Sequence, residues 1–330
     1  MKNQKLKILG DVFLDKPYKS FDIDNYIFNL EYPITNNMET PALNKVNLFS
    51  NDLFAKETFG KNPIGVTLAN NHIFDFGLIG AKDTIRTLEN NNIKYCGIGN
   101  IENNFNNPMI INTSEQHYFI LNYCCESTHP SVGDNELNIA ILEIEKVKSD
   151  ILSIMKTKNT FIIVIIHWGD EEISYPNPNN IKIAHTLIDY GADLIVGHHA
   201  HVTQSYDIYK GCMIYYGIGN AIFPDLDVPS FYENNISKQN FIKKQSNKNK
   251  QGYMIEVNRA KAHCIPTYFD NDSYYIDSKK IKNKINWPKI IGFENYRKLI
   301  RRSIMLKNFI SSPRIPNINR IKRFIIGSDE

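Results

Sequence analysis

Short apolar runs recur along the chain between polar stretches, and six have the length and the β-branched or aromatic content of buried strands. They are Leu6 to Leu9, Ile64 to Leu68, Phe161 to Ile166, Leu194 to Val196, Met213 to Tyr216 and Tyr253 to Val257. Between them, apolar positions recur at helical spacing over Ile79 to Asn90, Val147 to Lys158 and Ile181 to Tyr190. The last is closed by Gly191, which suits the left-handed turn just past a helix end. Strand, helix and strand in alternation predict an α/β fold. Two stretches break the pattern. Around residues 231–252 the chain is rich in Asn, Lys, Gln and Ser and has few apolar side chains with which to bury a surface, so a long mobile loop is expected there. From residue 279 the strand pattern stops and a basic amphipathic stretch, Phe293 to Ile310, runs into a Pro-interrupted end. The expected organisation is a main domain over 1–278 and a C-terminal extension over 279–330.

Composition narrows the setting. The 330 residues are 42% hydrophobic and 22% charged, ordinary for a globular protein with one large core. No apolar run approaches the ~18 residues of a membrane span, and the apolar stretch after the basic start is broken by Asp11, too early for a signal peptide. Five cysteines without a CxxC spacing fit a reduced, cytoplasmic setting. The net charge of +3 hides an asymmetry: Lys279 to Arg323 holds fourteen Lys or Arg and a single acid, Glu294. Such a segment faces water or an anionic partner, either a polyanion or a membrane surface that would hold the protein peripherally. Gly97-Ile98-Gly99-Asn100 and Gly217-Ile218-Gly219-Asn220 read as strand-to-loop turns. With no GxxxxGK[ST] and no complete GxGxxG, nucleotide-binding folds rank low, and nothing points to specific nucleic-acid recognition.

The candidate chemistry lies at the ends of the expected strands. Asp11 follows the first run, Glu31 follows a short run from Tyr26 to Leu30, and Asn70, Asn71 and His72 follow Ile64 to Ala69. His167 closes Phe161 to Ile166, and His198, His199 and His201 follow Leu194 to Gly197. In an open α/β sheet the carboxyl ends of the strands form the crevice that binds ligands, so positions scattered in sequence can converge. Imidazole, carboxylate and amide oxygen together suit Mn, Fe or Zn in an open, catalytic type of site. A lone histidine at a strand end is more often a hydrogen-bonded core residue. Three imidazoles within His198 to His201 are costly to bury without a partner, and His117, His129, His185 and His263 have no such placement.

These residues fall into ordered motifs: Gly10-Asp11, Asn29-Leu30-Glu31, Ala69-Asn70-Asn71-His72 with Asp75 and Gly77, His167-Trp168-Gly169 with Glu171, Gly197-His198-His199-Ala200-His201, and Gly219-Asn220. In order and spacing the chain resembles, over roughly residues 5 to 225, the CapA-type bacterial capsule-synthesis family. These are the poly-γ-glutamate biosynthesis proteins, a branch of the calcineurin-like metallophosphatases. The resemblance implies a four-layer α/β/β/α sandwich with two divalent metal ions at the strand ends. It implies Asp11 as a ligand of the first metal, Glu31 as the bridging carboxylate, and Asn71, His167 and His199 on the second metal, with His201 returning to the first. It also implies His72 as general acid or phosphate contact, and Asn220 near the metals; His198 and Glu171 are additional candidates. The superfamily places a histidine two residues after the first aspartate, where this chain has Phe13, so the first metal is one ligand short. Two functions follow: a metal-dependent hydrolase or transferase with phosphoesterase-type chemistry on a phosphoester or anionic polymer, in surface-polymer biosynthesis, or a non-catalytic metal-binding accessory that binds polymer or biosynthetic partners.

Overall fold

The computed structural model describes residues 5–103, 105–232, 235–277 and 287–311. The chain divides into two compact units, Met1–Lys282 and Asn283–Glu330. In the first unit the elements run β1 (Leu6–Val12), β2 (Tyr26–Leu30), α1 (Ala55–Phe59), β3 (Gly65–Thr67), α2 (Gly77–Asn90), β4 (Lys94–Cys96), β5 (Ile98–Gly99), β6 (Met109–Asn112), β7 (His117–Cys124) and β8 (Asn138–Ile139). They continue with α3 (Ile144–Ser153), β9 (Thr160–His167), α4 (Pro178–Asp189), β10 (Leu194–His198), β11 (Tyr206–Tyr209), β12 (Cys212–Tyr215) and β13 (Asn220–Ile222), and end with β14 (Leu226–Tyr232), β15 (Asn235–Lys243), β16 (Gln251–Asn258), β17 (Lys261–Asp270) and β18 (Ser273–Ile276).

Two sheets carry the architecture. One has the order β18-β17-β16-β1-β2-β3-β4 with β13 also paired to β1, and the other the order β11-β12-β10-β9-β7-β6. Strands β1, β2, β3 and β4 are parallel to one another, as are β7, β9, β10 and β12. The apolar runs are continuous because both faces of these strands are covered. On β9, Phe161, Ile163 and Ile165 face the core between the sheets, where they join Leu6, Ile8, Ile27, Leu194, Val196 and Ile255; Ile162, Val164 and Ile166 face the opposite way, toward Val147, Ile151, Ala184 and Leu187 of α3 and α4. The other sheet repeats the device: Tyr26 and Phe28 pack outward with Phe59 of α1 and Ala81 and Leu88 of α2. The layers are therefore helix, sheet, sheet, helix, the expected α/β/β/α sandwich.

Local chemistry sets the helix ends. Asn177 caps α4 by accepting the Asn179 N–H, Pro178 occupies the first turn, and Gly191 follows at φ +115°. The helix expected over Val147 to Lys158 stops at Ser153, because Ile154 is extended and the Thr157 and Thr160 hydroxyls organise a turn with the Thr157 N–H. The stretch 231–252, expected as a loop, instead holds β15, antiparallel to β14 with pairs from Leu226↔Lys243 to Tyr232↔Asn235. Backbone pairing supplies there what the polar composition lacks. In the second unit α5 (Trp287–Ile291) precedes α6 (Phe293–Ser311). Among the described residues no helix is long and apolar enough to cross a membrane.

Candidate metal centre

The polar residues converge where the parallel strands of both sheets end. Asp11 on β1 is level with Asn29 on β2 and with Asn220 on β13. The β1–β13 approach needs Gly10, since a Cβ there would lie 2.0 Å from the Gly219 carbonyl oxygen. In the other sheet His167 and His198, the last residues of β9 and β10, are paired neighbours. Past β10, His199 and His201 take left-handed backbone conformations at φ +83° and +53°. Such conformations are uncommon for residues that bear a side chain.

Two groups of donor atoms share Glu31. In the first, His167 Nε2 lies 2.8 Å from Asn71 Oδ1, 3.1 Å from His199 Nδ1 and 3.6 Å from Glu31 Oε1. In the second, Glu31 Oε1 is 3.6 Å from His201 Nε2, and Asp11 Oδ2 is 3.6 Å from His201 Nδ1. Glu31, His167 and His199, and separately Asp11, Glu31 and His201, each offer atoms within 4.8 Å of one another, and all are buried. Atoms bound to one ion at about 2.0–2.2 Å stand roughly 3–3.6 Å apart. The contacts of His167 Nε2 with His199 Nδ1 and Glu31 Oε1, at 3.1 and 3.6 Å, have that spacing, while the Asp11 group is looser, because its two 3.6 Å contacts involve different nitrogens of His201.

Glu31 tests whether a cation fits. Its carboxylate is wholly buried and neither oxygen has a hydrogen-bond partner. Burial, with the Asp11 carboxylate beside it, pushes its pKa well above the usual range. An isolated carboxylate in that position is costly unless a positive charge accompanies it. Asp11 behaves differently. Burial opposes its charge, but His198 at 2.8 Å, His201 and the Asn29 amide at 2.8 Å outweigh burial and hold its pKa below the usual range. Burial also lowers His167, well below the ordinary imidazole value, and His199, to about 4, so both are neutral and able to donate a lone pair.

Around this centre stand residues that position the others. His201 Nδ1 donates to Asn220 Oδ1 at 2.9 Å, which turns Nε2 toward Glu31. His198 donates from Nδ1 to Asp11 Oδ1 and lies outside both donor groups, with its Nε2 buried and unpartnered. The Asn70 carboxamide oxygen accepts the N–H groups of His72 and Ile73 while its NH₂ donates to Asn29 and Leu30. His72 Nδ1 lies 2.6 Å from Asp75 Oδ2, and Asp75 Oδ1 is 2.6 Å from the Lys45 ammonium, which also donates to the Asn71 carbonyl. Glu171 sits at the rim, half exposed, 4.0 Å from Lys243 of β15. Phe13 packs in an aromatic cluster with Tyr32 and Phe223, the latter 4.8 Å from the His201 ring. Sequence reasoning gave no role to Asp75 and did not single out Lys45 or Lys243. A lysine in a polar stretch carries no local signal of a buried carboxylate across the fold.

Two face-to-face sheets flanked by helices, with carboxylate, imidazole and amide groups gathered at their strand ends, define a metallophosphatase-like sandwich. The chain belongs to the bacterial capsule synthesis protein PGA_cap family, whose model matches residues 16–225. It is 30% identical over 253 residues to the capsule biosynthesis protein CapA of Bacillus anthracis, covering 67% of this chain and 60% of that one. To the PGA biosynthesis protein CapA of Bacillus subtilis (strain 168) it is 28% identical over 207 residues, covering 59% and 52%. A probable polyglutamine synthesis accessory protein of Mycobacterium tuberculosis is 28% identical over 171 residues, covering 47% and 44%. The chain thus spans 60% or less of the length of these relatives.

Proposed function

We propose that this chain is a metal-dependent hydrolase or transferase with phosphoesterase-type chemistry, serving bacterial capsule or surface-polymer synthesis. The observation that carries the reading is Glu31, a buried and unpartnered carboxylate set between the His167–His199 pair on one side and Asp11 with His201 on the other. Glu31, Asn71, His167 and His199 would hold one divalent ion, and Asp11, Glu31 and His201 a second. Imidazole, carboxylate and amide donors without cysteine suit Mn, Fe or Zn. Bound there, the ions would lower the pKa of a water to near neutrality and offset charge on a phosphoryl group. The remaining work falls to the chain itself. Asn29, His198 and the His199 N–H fix the Asp11 carboxylate, and Asn220 fixes the tautomer of His201. Asp75 holds the Nδ1–H of His72 and leaves Nε2 as the atom that exchanges a proton with the leaving oxygen. The substrate on this reading is an anionic polymer or a phosphoester.

A second reading, a non-catalytic metal-binding accessory of polymer synthesis, is favoured by one feature. Phe13, packed in the aromatic cluster, stands where the resemblance calls for a further ligand histidine, so the Asp11 group has fewer donors than the Asn71 group. Metal analysis of the purified protein, followed by turnover of a phosphodiester, a phosphomonoester and a glutamate polymer, separates the two. Tight metal binding with turnover of none of the three would leave the accessory reading standing.

A further inference from the structure

The basic C-terminal stretch contributes no residue to the proposed chemistry, and its charge is concentrated. Between Lys279 and Arg323 there are fourteen Lys or Arg against Glu294 alone. Of the chain's 38 Lys and Arg, the other 24 precede residue 279, where 32 of the 35 acids also lie. An anionic surface therefore repels the body and attracts the tail, over distances of about one Debye length, ~8 Å at physiological salt.

Helix α6 divides into two sides. Tyr296 is buried and Phe293, Ile300 and Ile304 are partly covered. Leu299 at 61% and Leu306 at 60% exposure lie two turns apart on the uncovered side, with Met305 beside them at 45%. Lys298, Arg301 and Arg302, all exposed, alternate with them, and Ile290 of the preceding α5 is exposed as well. We infer that this face of α6 docks the chain onto an anionic lipid bilayer, with the helix lying in the plane of the interface. Its 19 residues would extend about 28 Å, and its charges prevent insertion across the membrane. The cations would meet anionic headgroups, while Leu299, Met305 and Leu306 enter the headgroup–acyl boundary, and the long Lys and Arg stems reach back to the phosphates. The apolar side chains distinguish this occupant from a soluble polyanion. A polyanion neutralises lysine and arginine equally well but offers nothing to cover leucine.

The test uses the full chain and vesicles of phosphatidylcholine with or without 30% phosphatidylglycerol (about a third anionic lipid, enough to set up a surface potential). Co-sedimentation is expected with the anionic vesicles and not with pure phosphatidylcholine. The triple variant K298Q/R301Q/R302Q should bind on the order of 100-fold more weakly, at roughly fivefold for each cation lost. L299S/L306S, which retains every charge, should lose binding on the order of 10-fold or more and should become sensitive to moderate salt. These positions are exposed, so circular dichroism and melting of both variants should match the parent. Should anionic vesicles fail to bind the parent chain, the inference falls. It falls equally if L299S/L306S binds as the parent does and soluble poly-glutamate displaces both, because the tail would then be a polyanion site.

Discussion

His167 Nε2 and His199 Nδ1 lie 3.1 Å apart although 32 residues separate them in the chain. Two buried imidazole nitrogens at that distance either share a proton or face a common cation, and Asn71 Oδ1 and Glu31 Oε1 close the same corner. Metal binding should therefore control both stability and activity.

Replacing Glu31 with Gln should produce a crossing. In chelator, Glu31→Gln should be more stable than the parent by about 1–3 kcal/mol at neutral pH, because a buried carboxylate without partners is removed. In excess Mn²⁺ or Zn²⁺ it should be less stable, since the shared ligand is gone. Thermal melting in both conditions reads this out, and a parent that chelator does not destabilise relative to the variant would contradict it.

Histidine substitutions should divide by role. His72→Ala should keep its metal and lose roughly 10²–10⁴-fold in rate, the usual worth of a positioned proton donor. His167→Ala should lose metal and activity together. Loss of an outer partner alone costs about 10–100-fold in metal affinity, so loss of a direct ligand should cost more. Metal content and turnover measured on the same preparations decide this; loss of metal in His72→Ala would move that residue into the ligand set.

The metal-free protein should lose stability in acid. Burial lowers the pKa of His167 and His199 in the folded state, His199 to about 4, below the ordinary 6.5 that the unfolded chain recovers. Unfolding therefore takes up protons, and stability should be fully present above about pH 6.5 and decline as the pH falls toward 4. Denaturant melts of the apoprotein across that window check the sign. Converting His199 to Asn should flatten part of the slope.

Phe13→His should complete the Asp11 group. Phe13 follows β1 two residues after Asp11, and its ring packs on Phe223, which in turn packs on the His201 ring. The variant should bind the second equivalent of metal more tightly, at a stability cost of roughly 2–4 kcal/mol from lost aromatic packing in the metal-free form. Calorimetric titration gives both stoichiometry and affinity. An unchanged second affinity would mean that position 13 does not limit that half of the site.

The chain's own pattern determined the layers and the residue types of the site. Continuous apolar runs such as Phe161 to Ile166 require cover on both faces, and polar groups directly after such runs must gather at one end of parallel strands. Because the period of a strand is two, Ile163 and Ile162 were bound to face opposite layers whatever their partners. Tertiary structure alone decided which partners met. Lys45 reaches Asp75, Asn220 sets the tautomer of His201, and His198 holds Asp11 across 187 residues of sequence. No local period encodes such pairings, because hydrogen bonds between loops depend on where strand ends arrive in space. The same holds for β15, which is polar in sequence and becomes a strand through backbone pairing with β14.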